Sequence, residues 1–215
     1  MPDEVPKRGV THGLSPMSGS VATPRTFGTH EAAEVLADAF AEYPLLDWAL
    51  GPSESGPIMR YQLFRFLLKR LALPFGAIFR TEFNEGIAVW MRLRELPFVD
   101  DKTCAELTRE LRDLLGVRCA KGLLEIDDAM KQHHFKRPHL YLYLLGVRRG
   151  FQGLGYGTRL LSAGLESANE AQLPVFLETS SERAVRFYSR FNFQVTAEYS
   201  VSAGSPKTWT MLRMP

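Results

Sequence analysis

One stretch, His139 to Ala168, limits what this chain can fold into, because an apolar strand runs directly into a glycine-rich turn and then an amphipathic helix. His139-Leu140-Tyr141-Leu142-Tyr143-Leu144-Leu145-Gly146-Val147 is dense in aromatic and branched residues and follows Pro138, the pattern of a buried strand. Arg148-Arg149-Gly150 come next, then Gln152-Gly153-Leu154-Gly155-Tyr156-Gly157, after which Leu160, Leu161, Gly164, Leu165 and Ala168 recur at helical spacing. A turn with no side chains at 153, 155 and 157, set before a helix, lets backbone N–H groups close around an anion, and the helix end adds partial positive charge. That geometry suits a pyrophosphate. Glycines also serve tight turns for conformational reasons alone, so the spacing by itself leaves both readings open.

Two nucleotide motifs do not fit. A dinucleotide fingerprint needs G-x-G-x-x-G, whereas Gly153 to Gly157 is G-x-G-x-G, and Glu178 on the next strand does not repair the spacing. A P-loop needs Gly-Lys-Ser/Thr, and here Thr158 follows Gly157 with no lysine between them.

The turn resembles the acetyl-CoA-binding motif of the GNAT superfamily of N-acetyltransferases, Q/R-x-x-G-x-G/A, with Gln152, Gly155 and Gly157 at its fixed places. The resemblance implies an α/β (α+β) fold, the GNAT fold, in which a mixed, mostly antiparallel central sheet is flanked by helices. Here a helical insertion precedes the cofactor-binding strand. It also implies acetyl-CoA as cofactor, with CoA as product. Leu145, Gly146 and Val147 would lie along the pantetheine, and Gln152, Gly153, Leu154, Gly155, Tyr156, Gly157 and Thr158 around the pyrophosphate. Gly146 would suit the splaying of strands that admits the cofactor. The likeness continues through Leu177-Glu178-Thr179-Ser180, Ala184, Phe187-Tyr188 and Phe191-Asn192-Phe193. Asn192 stands where the family usually has glycine, at a helix exit requiring a left-handed backbone that asparagine tolerates.

Phe40-Ala41-Glu42-Tyr43-Pro44, Leu177 to Ser180 and Lys207-Thr208-Trp209-Thr210-Met211 further resemble the puromycin N-acetyltransferases and their uncharacterised relatives. In that branch the acceptor is a primary amine carried by an O-methyltyrosyl group. The implied reaction is direct attack of a small-molecule amine on the thioester. Such attack needs an unprotonated amine and a proton for the leaving thiolate. Tyr188 occupies the family position for the general acid and would touch the cofactor. Glu178, near a buried strand end, is the candidate base and acceptor ligand, because a carboxylate is costly to bury unpaired; a structural pairing is its alternative. Tyr43, Trp90, Tyr141 and His139 are the other acceptor-site candidates, with a core position as the alternative for Trp90. A noncatalytic acyl-CoA-binding or sensing module, and an acetyltransferase for a peptide or protein amine, remain as other functions.

Composition narrows the partners. The 26 basic and 24 acidic residues leave a net charge of +2, which implies no nucleic-acid partner. No apolar run reaches membrane-spanning length and the N-terminus lacks a signal-like core, so no membrane partner and a cytoplasmic location are expected. Cys104 and Cys119 form no close ligand pair, and His133, His134 and His139 lack a companion cysteine or carboxylate at recognised spacing, so no metal is expected. Oligomeric state is left open, a homodimer included.

In chain order, residues 1–20 read as a disordered tail and 21–215 as a single domain. Val21 to Phe27 suggests a strand, followed by a helix capped by Thr29 and ended by Pro44. Arg60 to Leu73 reads as a helix with Arg60, Arg65, Lys69 and Arg70 as solvated charges or, alternatively, as ligands of the cofactor's ribose phosphate. Phe75 to Phe83 and Gly86 to Arg94 form a hairpin. Helices at Thr103–Leu115 and Leu123–Phe135 make the insertion, placed to roof an acceptor pocket. Leu173–Thr179 is a second buried strand, Ser180 or Ser181 caps the next helix, and Phe193–Tyr199 with Thr208–Met214 close the sheet antiparallel.

Overall fold

The computed structural model describes residues 28–51, 56–94 and 99–215. The expected tail and the Val21–Phe27 strand lie outside the described residues. Among the described residues six strands form one sheet in the order β1-β2-β3-β4-β6-β5, with β1 Gly76–Arg80, β2 Gly86–Leu93, β3 His139–Val147, β4 Val175–Thr179, β5 Gln194–Ser200 and β6 Lys207–Arg213. Only the β3–β4 pair is parallel, so the sheet is mixed and mostly antiparallel as expected.

Helices cover both faces, and the period-two alternation of β2 shows how. Ile87, Val89 and Met91 face α1 (Thr29–Ala39) and α3 (Gly56–Leu67), in a core with Leu36, Phe64 and Phe176. Ala88 and Trp90 face α6 (Tyr156–Glu170) and α7 (Glu182–Ser189), with Leu160, Leu161 and Leu177. Trp90 therefore belongs to the α6 layer. A Cβ on Gly164 would stand 2.1 Å from its ring, so glycine is required for α6 to lie on the indole.

Three local expectations are corrected. Gly28, not Thr29, is the N-cap of α1, and no side chain caps it. Pro44 opens α2 (Pro44–Leu50), since a proline fits the first helical turn, where its missing N–H costs nothing. Arg60 and Arg70 are not free surface charges: they pair with Asp47 of α2 and with Glu110, tying α3 to its neighbours. Past Leu67, α3 continues as a π-turn at Leu68–Ala72 and a last turn, α4 (Leu73–Phe75).

The insertion is α5, Asp101–His133, capped by the Asp100 carboxylate on the Thr103 N–H at 2.7 Å. Gly116, at φ 79° and ψ 162°, breaks it into two segments, of which the second begins earlier than the sequence suggested. The break lets both segments wrap α2 and α3: Leu111, Leu115 and Cys119 pack with Leu50 and Leu63, and Ile126 packs with Leu45 and Ala49. Gly122 is where the backbones approach closest, a Cβ there meeting Ala49 at 3.1 Å.

Candidate active site

The site begins with a fault in the sheet. β3 and β4 pair only at Leu140–Val175 and Tyr141–Phe176, whereas β4 pairs with β6 along Val175–Thr179. Beyond Tyr141 the two strands diverge. A bulge lies just there, because Leu142 and Leu144 oppose successive residues Trp90 and Val89 and leave Tyr143 over. An extra residue bends and twists its strand, which peels β3 from β4 while its other edge stays paired with β2 as far as Val147–Gly86. Among the described residues the β4-facing edge of Leu142–Val147 is thus without a partner strand. Gly146 does not open this gap. It is glycine because α1 crosses it, with Ala39, Leu36 and Phe40 atoms 2.9 to 3.2 Å from where a Cβ would stand.

At the end of β3 the chain turns through Arg149–Phe151 into the glycine segment. Gly153 and Gly155 have φ of 82° and 85°, the region only glycine enters cheaply, and space is open around both. Gly155 is the N-cap of α6, and no side chain caps that helix. Its first N–H groups are the orphan donors that every helix start leaves, here pointed out of the turn. Gln152 braces the segment: Nε2 donates to the Val147 carbonyl at 3.1 Å and Oε1 accepts from Arg183 of α7 at 3.1 Å. The unpaired β3 edge and the uncapped helix start fit an extended amide chain ending in a pyrophosphate.

A cavity of about 440 Å³ joins this cleft to a space beneath α3 and α5. Tyr43, Tyr141, Glu178 and Tyr188 line it, as do Leu145, Gly146, Val147 and Gln152. Trp90 and His139 do not, so of the acceptor-site candidates the structure gathers Tyr43, Tyr141 and Glu178. The Glu178 side chain is 1% exposed. One oxygen, Oε2, accepts from the Tyr141 hydroxyl at 2.8 Å; the other, Oε1, has no hydrogen-bond partner. Burial, reinforced by the Asp127 charge against the pull of the Tyr141 bond, pushes its pKa up to about 8.

His134 Nδ1 lies 4.0 Å from Oε1. His139 Nδ1 lies 2.7 Å from the Arg137 carbonyl, which can only accept, so that nitrogen carries the proton. His139 Nε2 is then an acceptor and takes the Nε2–H of His134 at 3.0 Å. A bare Nδ1 lone pair is left facing Glu178. Both rings are neutral: burial, with the neighbouring His139 and Lys136, holds His134 down to about 3, and burial lowers His139. His139 thus stands behind His134 and against the Tyr141 ring, outside the cavity lining. His134 itself was hidden in the sequence by its place on the apolar stripe Ile126, Met130, His134, and a second histidine opening the next strand is the signal that would have found it.

Tyr188 of α7 is buried and lines the cavity, where burial, then Tyr43, raises its pKa and keeps the hydroxyl protonated. Tyr43, the residue before α2, has its hydroxyl oxygen bonded by the Ser180 N–H at 2.7 Å. Ser181, not Ser180, caps α7, accepting from the Ala184 N–H at 3.3 Å. Ser180 instead bonds Thr208 of β6 at 2.7 Å. Asn192 does take the left-handed backbone, at φ 65°, and closes the exit of α7.

Among the described residues no group of three or more histidines, cysteines or carboxylates is placed to hold a metal, and no helix is long and apolar enough to cross a membrane.

Residues 94–193 match the Acetyltransferase (GNAT) family. Over 78 residues, 36% of this chain, the sequence is 32% identical to a probable serine/threonine-protein kinase of Dictyostelium discoideum, of which it spans 8%. The fold is similar to that of a histone acetyltransferase HPA2 and related acetyltransferase from Corynebacterium glutamicum, with TM-score 0.68 and 24% identity over 93% of this chain and 97% of that one. It is also similar to arylalkylamine N-acetyltransferase 2 from Aedes aegypti, with TM-score 0.54 and 18% identity over 86% and 94%. The family match over residues 94–193, the sheet topology and the diverging β3–β4 pair agree, and the fold is the GNAT fold.

Proposed function

We propose that this chain is an acetyl-CoA-dependent N-acetyltransferase, cytoplasmic, that acetylates a primary amine of a small molecule by direct attack on the thioester. The observation that carries the reading is one continuous cavity. It joins the unpaired strand edge, and Gln152 at the head of the glycine segment, to a buried carboxyl with a free oxygen and to a tyrosine that keeps its proton.

The main chain of Leu145, Gly146 and Val147 would hold the pantetheine, and that of Gln152 to Thr158 the pyrophosphate. Bound there, acetyl-CoA supplies an electrophilic thioester carbon and a thiol leaving group. Glu178 Oε1 removes the proton that keeps the amine from attacking. With a pKa of about 8 it lies closer to an alkylammonium than an ordinary carboxyl does, so the transfer is less uphill. Tyr141 holds the other oxygen and so aims the carboxyl. Tyr188 holds its proton for the departing sulfur, and Tyr43 borders the acceptor between Glu178 and Tyr188.

The Aedes aegypti relative is an arylalkylamine N-acetyltransferase, and the sequence resembles puromycin N-acetyltransferases; arylalkylamines and puromycin are therefore the first acceptors to assay. The test is thiol release from acetyl-CoA with a panel of primary amines, matched by an acetyl mass gain on the acceptor. Calorimetry that finds no binding of CoA or acetyl-CoA by folded protein at millimolar concentration overturns the reading. Binding with no transfer to any amine makes the chain a cofactor-sensing module instead.

A further inference from the structure

The end of the cavity away from the glycine turn is lined by Phe66, Leu67 and Leu71 from α3 and its π-turn, and by Leu107, Leu111 and Met130 from α5. We propose, building on the acetyltransferase reading, that this end holds the body of the acceptor, and that the acceptor is a cationic amphiphile: a primary amine on an alkyl or arylalkyl group of roughly six or more carbons. The ammonium sits at Glu178 Oε1 and the apolar group runs between α3 and α5.

Three observations lead there. Glu178 Oε1 is the buried acceptor atom with no partner on this wall, and an ammonium supplies the donor it lacks. Among the described residues of the wall the one lysine, Lys131, is paired with Asp127 and also lies 3.9 Å from Asp128, so its charge is already met. The base also stands on the α5 side, facing His134, which follows that helix. A substituent on nitrogen therefore extends away from the turn, towards the apolar walls, while the thioester extends towards Gln152. A polyhydroxylated or doubly charged acceptor would lose hydration against Phe66, Leu107 and Leu111 with nothing to replace it.

The test is calorimetric binding of n-alkylamines from propyl to decyl, and of phenethylamine, to the full chain saturated with CoA. The same series is then run in turnover with acetyl-CoA. Putrescine and the matching n-alkanols are the controls, and a parallel arm holds the amine fixed and lengthens the acyl chain of the thioester. Affinity should rise about fourfold per methylene up to the length the cavity accepts, the increment expected for burying a methylene. Octylamine should bind at least tenfold more tightly than octanol, and Glu178→Gln should erase that difference. Thr108→Phe, which fills the apolar end from α5, should cut the octyl-to-propyl ratio at least tenfold. A flat series, or tighter binding of putrescine than of octylamine, overturns the proposal. So does a length preference that appears in the acyl arm alone. Failure of CoA itself to bind would instead remove the acetyltransferase reading, and alkylamine binding without CoA then decides the pocket by itself.

Discussion

The two ends of the cavity are built by different means. At the turn end the backbone is what is presented: the unpaired edge of Leu142–Val147 lines the cavity and the start of α6 lies just beyond Gln152, with N–H and C=O directions set by φ and ψ. At the α5 end, side chains from four separate segments, Tyr43, His134, Tyr141 and Glu178, make both the shape and the chemistry. The first end is fixed by local geometry and the second by what burial does to ionisable groups. Substitutions should therefore separate cofactor affinity from proton transfer.

The largest separation is expected from Glu178→Gln. Turnover should fall by about 10² to 10⁴, the usual contribution of a general base, while the affinity for CoA measured by calorimetry stays as it was. In the native protein kcat/KM should climb as pH rises through about 8, where Glu178 ionises, and the residual activity of the variant should lack that rise. A variant that binds CoA poorly would dissolve the distinction between the two ends. Tyr188→Phe should lower kcat by roughly 10² and leave KM for acetyl-CoA near its native value, read by steady-state kinetics. Equal turnover at every pH would remove the acid from that position.

Gly155→Val tests the other end. At φ 85° a branched residue costs about 1–3 kcal/mol, so CoA affinity should weaken by about tenfold or more and the position of the pH profile should not move. A shifted profile would mean that the two ends are coupled.

The smallest effect is on stability. The folded pKa of Glu178 lies above its unfolded value, so folding retains a proton that the unfolded chain releases, and stability falls as pH rises from about 4.5 to about 8. Glu178→Gln should therefore melt higher than the native protein at pH 8 and close to it at pH 4. His134 acts in the opposite sense. Its folded pKa is depressed, so stability falls as pH drops from 6.5 towards 3. Thermal melts across this range should show the native protein most stable between these limits.

Much of the fold was legible. β3 runs from His139 to Val147 as its composition indicated, and the helical positions Leu160, Leu161, Gly164, Leu165 and Ala168 are all buried. These elements are long, periodic and bounded by turn residues. Pro44 misled because the same proline suits the end of one helix and the start of another, and only the packing of α2 against α5 decides between them. Trp90 carries two readings in the sequence, acceptor candidate and core residue, and its type does not decide between them. Alternation along β2 turns it to the α6 face, where Gly164 receives it.

Glycines at 153 and 155 and the uncapped start of α6 are local matters, since they depend on the φ that each residue tolerates, and the chain specifies them without reference to the rest of the fold. The character of Glu178 is different. Its nearest partner, Tyr141, is 37 positions away, and the histidine facing its free oxygen comes from the end of α5. A carboxyl's pKa depends on the water it loses and the donors it meets, and both are set by distant segments folding over it. The sequence by itself determined the glycine turn and the uncapped helix start; only the tertiary structure decided which carboxyl is buried with an unpartnered oxygen.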